Sequence, residues 1–282
     1  GILPPIPGAA ANTGARGKSI LIRKECVGMK KFLALFLCCF LLVGVAAHHC
    51  LADADNSLQA IKDKGTLVLG LDDSFPPMGF LDEDVSVVGF DIDVAAAVCE
   101  YLGVTLVCQP IDWIANEAEL NAGNIDCVWN GMTITQARLD SMNISLPYLR
   151  NQQVVVVKKD AGLASLADLA GKNLGLQSGS SAEEALTGAA DFAATLKDTL
   201  FYEDNTIALM DLGVGRLDGV LVDSIVADYY ITEMQADYLV LDESLADEEY
   251  GIGFRKADEA LAEAVNNALI ALKADGTLEE IS

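Results

Sequence analysis

The chain has 282 residues, 52% of them hydrophobic, and a formal net charge of −24. That length supports one large or two modest domains, and the frequent Val, Leu, Ile and Ala supply material for their cores. With 18 Lys plus Arg against 42 Asp plus Glu there is no basic surface to neutralise phosphates and release counterions, so a nucleic-acid partner is excluded.

Along the chain, Met29-Lys30-Lys31 precedes an apolar run over 32–47 and then small residues through Ala54. This is the order of a charged, a hydrophobic and a cleavage region, with Ala52-Asp53-Ala54 as the cut. Residues 29–54 are therefore expected to be a signal peptide and 1–28 upstream sequence outside the fold. The apolar run is short for a membrane span. A cut before Cys50 would leave a lipid-anchored cysteine, but Ala47-His48-His49 lacks the residues expected ahead of one, so soluble export to the periplasm or extracellular space is preferred. Cleavage removes both histidines, and with them Ser-His or Cys-His nucleophiles and imidazole metal ligands. No metal or cofactor is expected. Cys99, Cys108 and Cys127 remain, at spacings that fit no zinc or redox motif; they are read as buried free thiols, with one bridge left open.

Short apolar runs then alternate with helix-period segments. Residues 67–71 read as a strand and 91–102 as a helix with Val94, Ala95, Val98 and Leu102 on its apolar face and Gly103 just past its end. A strand at 104–108, a short helix at 115–122 stopped by Gly123, and a strand at 125–129 complete a β-α-β-α-β order. That order implies an α/β fold with a parallel sheet and helices on both faces. A second set opens at 154–157, where strands at 174–177, 199–202, 217–222 and 238–241 alternate with helices at 181–186, 205–212 and 223–234. Residues 251–255 and a long helix at 258–274 have no sheet of their own and are expected to rejoin the first set. The expected organisation is lobe 1 at 55–147 plus 251–282, lobe 2 at 152–246, and a hinge of two crossing segments, 148–151 and 247–250.

Strand-to-helix loops are where open α/β sheets bind ligands, and several here carry chemistry. Gly131-Met132-Thr133-Ile134-Thr135 follows the strand at 125–129, and Arg138 lies five residues after Thr133. Arginine suits bidentate carboxylate capture, each hydrogen bond to a charged group contributing roughly 1.5–3 kcal/mol. The Thr133 hydroxyl and nearby N–H groups add to such a clamp; the competing reading is a surface arginine at a helix start. Gln177-Ser178-Gly179-Ser180-Ser181 also joins strand to helix, with serine to cap it and free N–H groups to attract an anion. No Gly-Lys-Ser/Thr follows, which disfavours a phosphate loop. Asp223 ends an apolar strand, as an ordinary helix cap or as an ammonium partner. Asp72 ends the first strand, ahead of Asp73-Ser74-Phe75-Pro76-Pro77, and Phe75 and Trp113 are either walls of a pocket or plain core. A free amino acid presents a carboxylate, an ammonium and a side chain, each needing a partner once water is expelled. This set contains one for each.

Further motifs stand in order: Val88-Gly89-Phe90-Asp91-Ile92-Asp93, Asn124 through Asn130 running into Gly131, Leu146-Pro147-Tyr148, Val222-Asp223 and Tyr250-Gly251-Ile252. With those above, they make the chain resemble the family 3 extracellular solute-binding proteins, the polar amino-acid-binding proteins of ABC importers, over 57–282. The resemblance implies a hinged two-lobe fold of the type II periplasmic-binding-protein kind, with ligand in the interlobe cleft. It implies a receptor that binds a free polar amino acid and delivers it, as a monomer, to the transmembrane subunits of an ABC importer. By position, Arg138 and Thr133 would take the α-carboxylate with help from the loop of Gln177, Ser180 and Ser181. Asp223 would take the ammonium, with the Gly131 carbonyl. Phe75 and Trp113 would enclose the side chain, Asp72 would line the pocket, Asn130 would shape selectivity beside the glycine, and Asp91 and Asp93 would support the first helix. Two alternatives stand beside this reading: an exported dehydratase or lyase on the same scaffold, using a carboxylate such as Asp73 or Glu117, and a sensory ligand-binding module.

Overall fold

The structure, a computed structural model, describes residues 55–282, which form one compact unit. The signal-peptide, lipid-anchor and upstream expectations fall outside the described residues. Strand β1 (Thr66–Leu71) alternates around Leu67, Leu69 and Leu71, all fully buried; burying each such side chain contributes about 1.5–3 kcal/mol. A small antiparallel sheet of β2 (Ser74–Phe75), β3 (Gly79–Leu81) and β4 (Val87–Val88) follows. The helix Phe90–Leu102 then buries Ile92, Val94, Ala95, Val98 and Cys99, and ends at Gly103 in the left-handed region. Strands β5 (Thr105–Pro110), β6 (Cys127–Val128) and β7 (Met142–Ile144) belong to the first large sheet.

The second sheet is built from β8 (Leu149–Lys158), β9 (Asn173–Gln177), β10 (Asp198–Tyr202), β11 (Gly219–Asp223) and β12 (Tyr238–Tyr250). Its order is β10-β9-β11-β8-β12. Val154 to Val157 on β8 are all buried, with Val154 and Val156 packed on one face and Val155 and Val157 on the other. A continuous apolar run is what a strand covered on both faces requires. The chain finally rejoins the first sheet through β13 (Gly253–Arg255), giving the order β5-β1-β6-β13-β7. The helix Glu259–Ala274 then lays Leu261, Val265, Ala268 and Leu272 into the same core as the Phe90–Leu102 helix.

Three expectations need correction. Both sheets are mixed rather than parallel: β5, β1 and β6 run parallel in one and β10, β9 and β11 in the other, while β13, β7, β8 and β12 are antiparallel to their neighbours. The antiparallel members include the segments that carry the chain between sheets and so re-enter from the opposite end. The strand expected at 238–241 extends to Tyr250, and that expected at 154–157 begins at Leu149. These extensions pair, Leu149 opposite Tyr250 and Asn151 opposite Glu248, so the two crossings form one antiparallel ribbon. The helix expected from 223 starts at Ser224, with Asp223 still in the strand. The helix Ser57–Lys64 is not among the expected elements, and the strands β2 to β4 and β7, of two or three residues each, are too short to carry a periodic signal.

Candidate functional site

The carboxyl ends of β1, β6, β9 and β11 converge, as ligand-binding α/β sheets require. Asp72 follows β1, Gly131 and Thr133 follow β6, Gln177 ends β9 and Asp223 ends β11. The eleven ligand-binding candidates from the sequence all line one narrow cavity: Asp72, Phe75, Trp113, Asn130, Gly131, Thr133 and Arg138 from the first-sheet side, and Gln177, Ser180, Ser181 and Asp223 from the second. Asp73 lines an adjoining, outer acidic groove, to which Asp72 and Trp113 also belong, and Glu117 lines neither space.

Arg138 sits in the first turn of the helix Gln136–Ser141, which Thr135 caps by accepting the Arg138 N–H at 3.4 Å. Its Nη1 donates to the Thr133 carbonyl at 2.7 Å, its Nη2 reaches the Gly179 carbonyl at 3.4 Å, and the guanidinium lies 5.8 Å from the Trp113 ring centroid. Burial pushes its pKa down, while the carboxylates of Glu184, Glu248 and Asp223 oppose the shift. Two of the five N–H donors are thus tied to backbone and the rest are left for an anion. Trp113, at the start of the turn Trp113–Ala115, closes over the guanidinium as well as walling the cavity.

Asp223 stands at the N-cap position of the helix Ser224–Thr232, but its side chain makes no capping bond. Tyr250 donates its hydroxyl to Asp223 Oδ1 at 2.7 Å, and Asn151 donates an amide N–H to the same oxygen. Burial, reinforced by the Glu248 charge, raises the Asp223 pKa to about 7. Asp72 accepts from the Ser74 N–H at 2.9 Å and from Gln177 Nε2 at 2.7 Å, a bond that spans the two sheets. Burial lifts it to about 6 against those two bonds. With its amide oriented so that both polar atoms find partners, Asn130 donates to the Asp72 carbonyl at 3.0 Å and accepts from the Gly79 N–H at 3.1 Å.

Gly131 has φ +58, and a Cβ there would stand 2.6 Å from Phe75 Cε1. The turn is held from beneath by Asp91, which accepts the Gly131 N–H at 2.7 Å and the Tyr148 hydroxyl at 2.9 Å. Asp91, in the first turn of the helix Phe90–Leu102, therefore also supports this glycine; burial pushes its pKa up to about 7. Gly131→Ala is expected to weaken ligand capture at least about tenfold, through strained φ and the displaced Phe75 wall, with binding calorimetry as the readout.

Sequence reasoning missed the polar side chains of the ribbon, Asn151, Gln153 and Glu248. Asn151 and Gln153 are buried at alternate positions of β8, an inward-facing polar pair just before a valine run. That alternation was the available signal. The three cysteines among the described residues are free thiols, Cys99 and Cys127 buried and Cys108 half-buried. Among the described residues no helix is long and apolar enough to cross a membrane, and no acidic, Cys or His cluster is arranged to hold a metal.

Residues 67–282 match the family model described as bacterial extracellular solute-binding proteins, family 3. The chain is 33% identical over 230 residues to the L-cystine-binding protein TcyJ of Escherichia coli (strain K12), covering 81% of this chain and 85% of that protein. It is 33% identical over 218 residues to the ABC transporter arginine-binding protein 1 of the same strain, covering 76% and 87%. A solved ABC uptake transporter substrate-binding protein from Streptococcus pneumoniae with bound histidine is 39% identical, with a TM-score of 0.75 over 82% of this chain and 96% of that one. These relatives are binding proteins rather than enzymes. An ancestral amino acid-binding protein described as a precursor of cyclohexadienyl dehydratase is also similar, at 34% identity and a TM-score of 0.73 over 80% of this chain and 97% of that one.

Proposed function

Because the chain belongs to the bacterial extracellular solute-binding proteins of family 3, we propose that it is an exported receptor that captures a free polar amino acid between two lobes and delivers it to an ABC importer. The observation that carries the reading is one cavity with a guanidinium from one side and a buried carboxylate from the other. That is the charge arrangement a zwitterion needs once water is gone. Arg138 takes the α-carboxylate with the Ser180-Ser181 loop, Asp223 takes the ammonium, and Phe75, Trp113 and Asp72 face the side chain. The lobes are 55–147 with 251–282, and 152–246. Segments 148–151 and 247–250, paired as a short ribbon, are the hinge about which the cleft opens. The receptor works as a monomer on the outer side of the membrane, with the importer's transmembrane subunits as its partner and no nucleic acid.

A thermal-shift screen against the twenty common L-amino acids tests this. At a ligand concentration a hundred times Kd, the cognate amino acid should stabilise the protein by about 2.7 kcal/mol; a flat response to all twenty would defeat the proposal. Trp113→Ala should weaken bulky ligands more than small ones, since the wall is lost along with the contact that steadies Arg138. Equal loss across sizes would leave Trp113 no role as a wall.

A second reading, a lyase on this scaffold, rests on the raised pKa of Asp223, which faces the cavity as a general acid would. Stoichiometric, reversible binding with ligand recovered unchanged excludes it; product formation would replace the receptor reading.

A further inference from the structure

Three donors converge on a single oxygen of Glu248. Thr133 Oγ1 reaches its Oε2 at 2.9 Å, Asn151 Nδ2 at 2.9 Å and Gln153 Nε2 at 3.1 Å. They come from the loop after β6 and from the crossing strand β8, while Glu248 stands on the other crossing, β12. The direction of the protons has a consequence. An ionised carboxylate only accepts, so the Thr133 hydroxyl proton is committed to Glu248, and the Ser181 hydroxyl donates in turn to Thr133 Oγ1 at 3.1 Å. The relay runs from Ser181 to Thr133 to Glu248. An anion entering the cavity meets lone pairs on these hydroxyls, which leaves its capture to Arg138 and to backbone N–H groups.

The same carboxylate stands behind Asp223. Asn151 Nδ2 donates both to Glu248 and to Asp223 Oδ1, so one amide nitrogen is all that separates the two acids. Around Asp223 the other charged or titratable groups are Tyr250, which shares β12 with Glu248, and Arg138 from the helix Gln136–Ser141; Asn151 and Gln153 of β8 are neutral. We propose that Glu248 is a positioning residue of the cleft, which turns the Thr133 and Ser181 hydroxyl protons away from the ligand and places a second negative charge behind Asp223, so that the α-amino group is accepted as the full ammonium ion. The inference rests on the amino-acid reading above and specifies its anchoring chemistry.

Glu248→Gln separates charge from shape. All three hydrogen bonds meet one oxygen, and a glutamine can set its carbonyl there with its NH₂ turned away. The first measurement uses the ligand-free protein: the carboxyl carbon of Asp223 is followed by NMR against pH in the parent and in the variant. The parent should titrate near 7, and Glu248→Gln should lower that midpoint by at least about one pH unit. Glu248→Asp, which retains the charge but draws it back by one methylene, should lower it by less, and it serves in its own right if the glutamine variant does not fold. An unchanged midpoint in Glu248→Gln, or an equal fall in both variants, overturns the proposal.

The second measurement is the twenty-amino-acid thermal-shift panel at pH 6 and pH 8. In the parent, the affinity behind the shift should fall about tenfold per pH unit below the Asp223 midpoint, because the proton competes with the ammonium. In Glu248→Gln the difference between the two pH values should shrink; a difference as large as the parent's counts against Glu248. If no amino acid shifts the parent at either pH, the receptor reading fails, and the NMR result still decides whether Glu248 governs Asp223.

Discussion

Arg138→Ala is expected to weaken amino-acid binding by about 2–5 kcal/mol while leaving the protein folded. The guanidinium is held in the cavity by two backbone carbonyls, those of Thr133 and Gly179, and by the Trp113 face. Its truncation would leave a ligand carboxylate desolvated and without its charged partner, and that penalty is larger than the net worth of the hydrogen bonds themselves. The fold has less at stake, because Arg138 lies on a six-residue helix with no fully buried member. Arg138→Lys should recover only part of the loss, since an ammonium cannot reproduce the planar fork. Calorimetric titration with the amino acid found by the screen measures both variants. A Kd unchanged by the alanine substitution would remove Arg138 from the site and the proposed function with it.

The ligand-free protein should become more stable as the pH is lowered from 8 to 5. Three buried carboxyls, Asp72, Asp91 and Asp223, have folded-state pKa values raised from 3.8 to about 6, 7 and 7, with burial as the largest cause in each. In the unfolded chain they would titrate near the ordinary carboxylate value, so between about pH 4 and 7 the folded state binds more protons than the unfolded one. Stability therefore rises as pH falls through the folded pKa values and is fully gained below the unfolded one. Reduced repulsion within a chain of net charge −24 acts in the same direction. Ligand affinity should move the opposite way, because Asp223 must be ionised to hold an ammonium. Urea unfolding at pH 8, 6.5 and 5, with and without ligand, reads both effects. A midpoint that falls on acidification in the free protein would mean that these carboxyls stay ionised when buried.

Most of the candidate site's lining was legible in the sequence because its parts fall at loop positions with short, ordered spacings: Gly131, Thr133 and Arg138 within one stretch, Gln177 to Ser181 in another, and Asp223 at the end of an apolar run. The residues that escaped notice act through pairing partners far away in sequence. Glu248 receives Thr133 across 115 residues, and Tyr250 meets Asp223 only because β12 runs on into the ribbon. Asp91 shows the same limit. Its motif was plain, yet the group it holds, the Gly131 N–H, lies 40 residues on.

The sequence by itself determined the α/β elements, the two sets of strands, the return of the last segment to the first set, and the residue types suited to a zwitterion. Hydrophobic periodicity and local turn chemistry act over a few residues, and those features are written at that range. The tertiary structure alone decided that both sheets are mixed and that the crossings pair as a ribbon. It alone turned the Asp223 side chain away from capping to accept from Tyr250 and Asn151, and backed it with a second carboxylate. Those outcomes depend on which strand ends meet and on how far burial removes each carboxyl from water, and no local pattern encodes either.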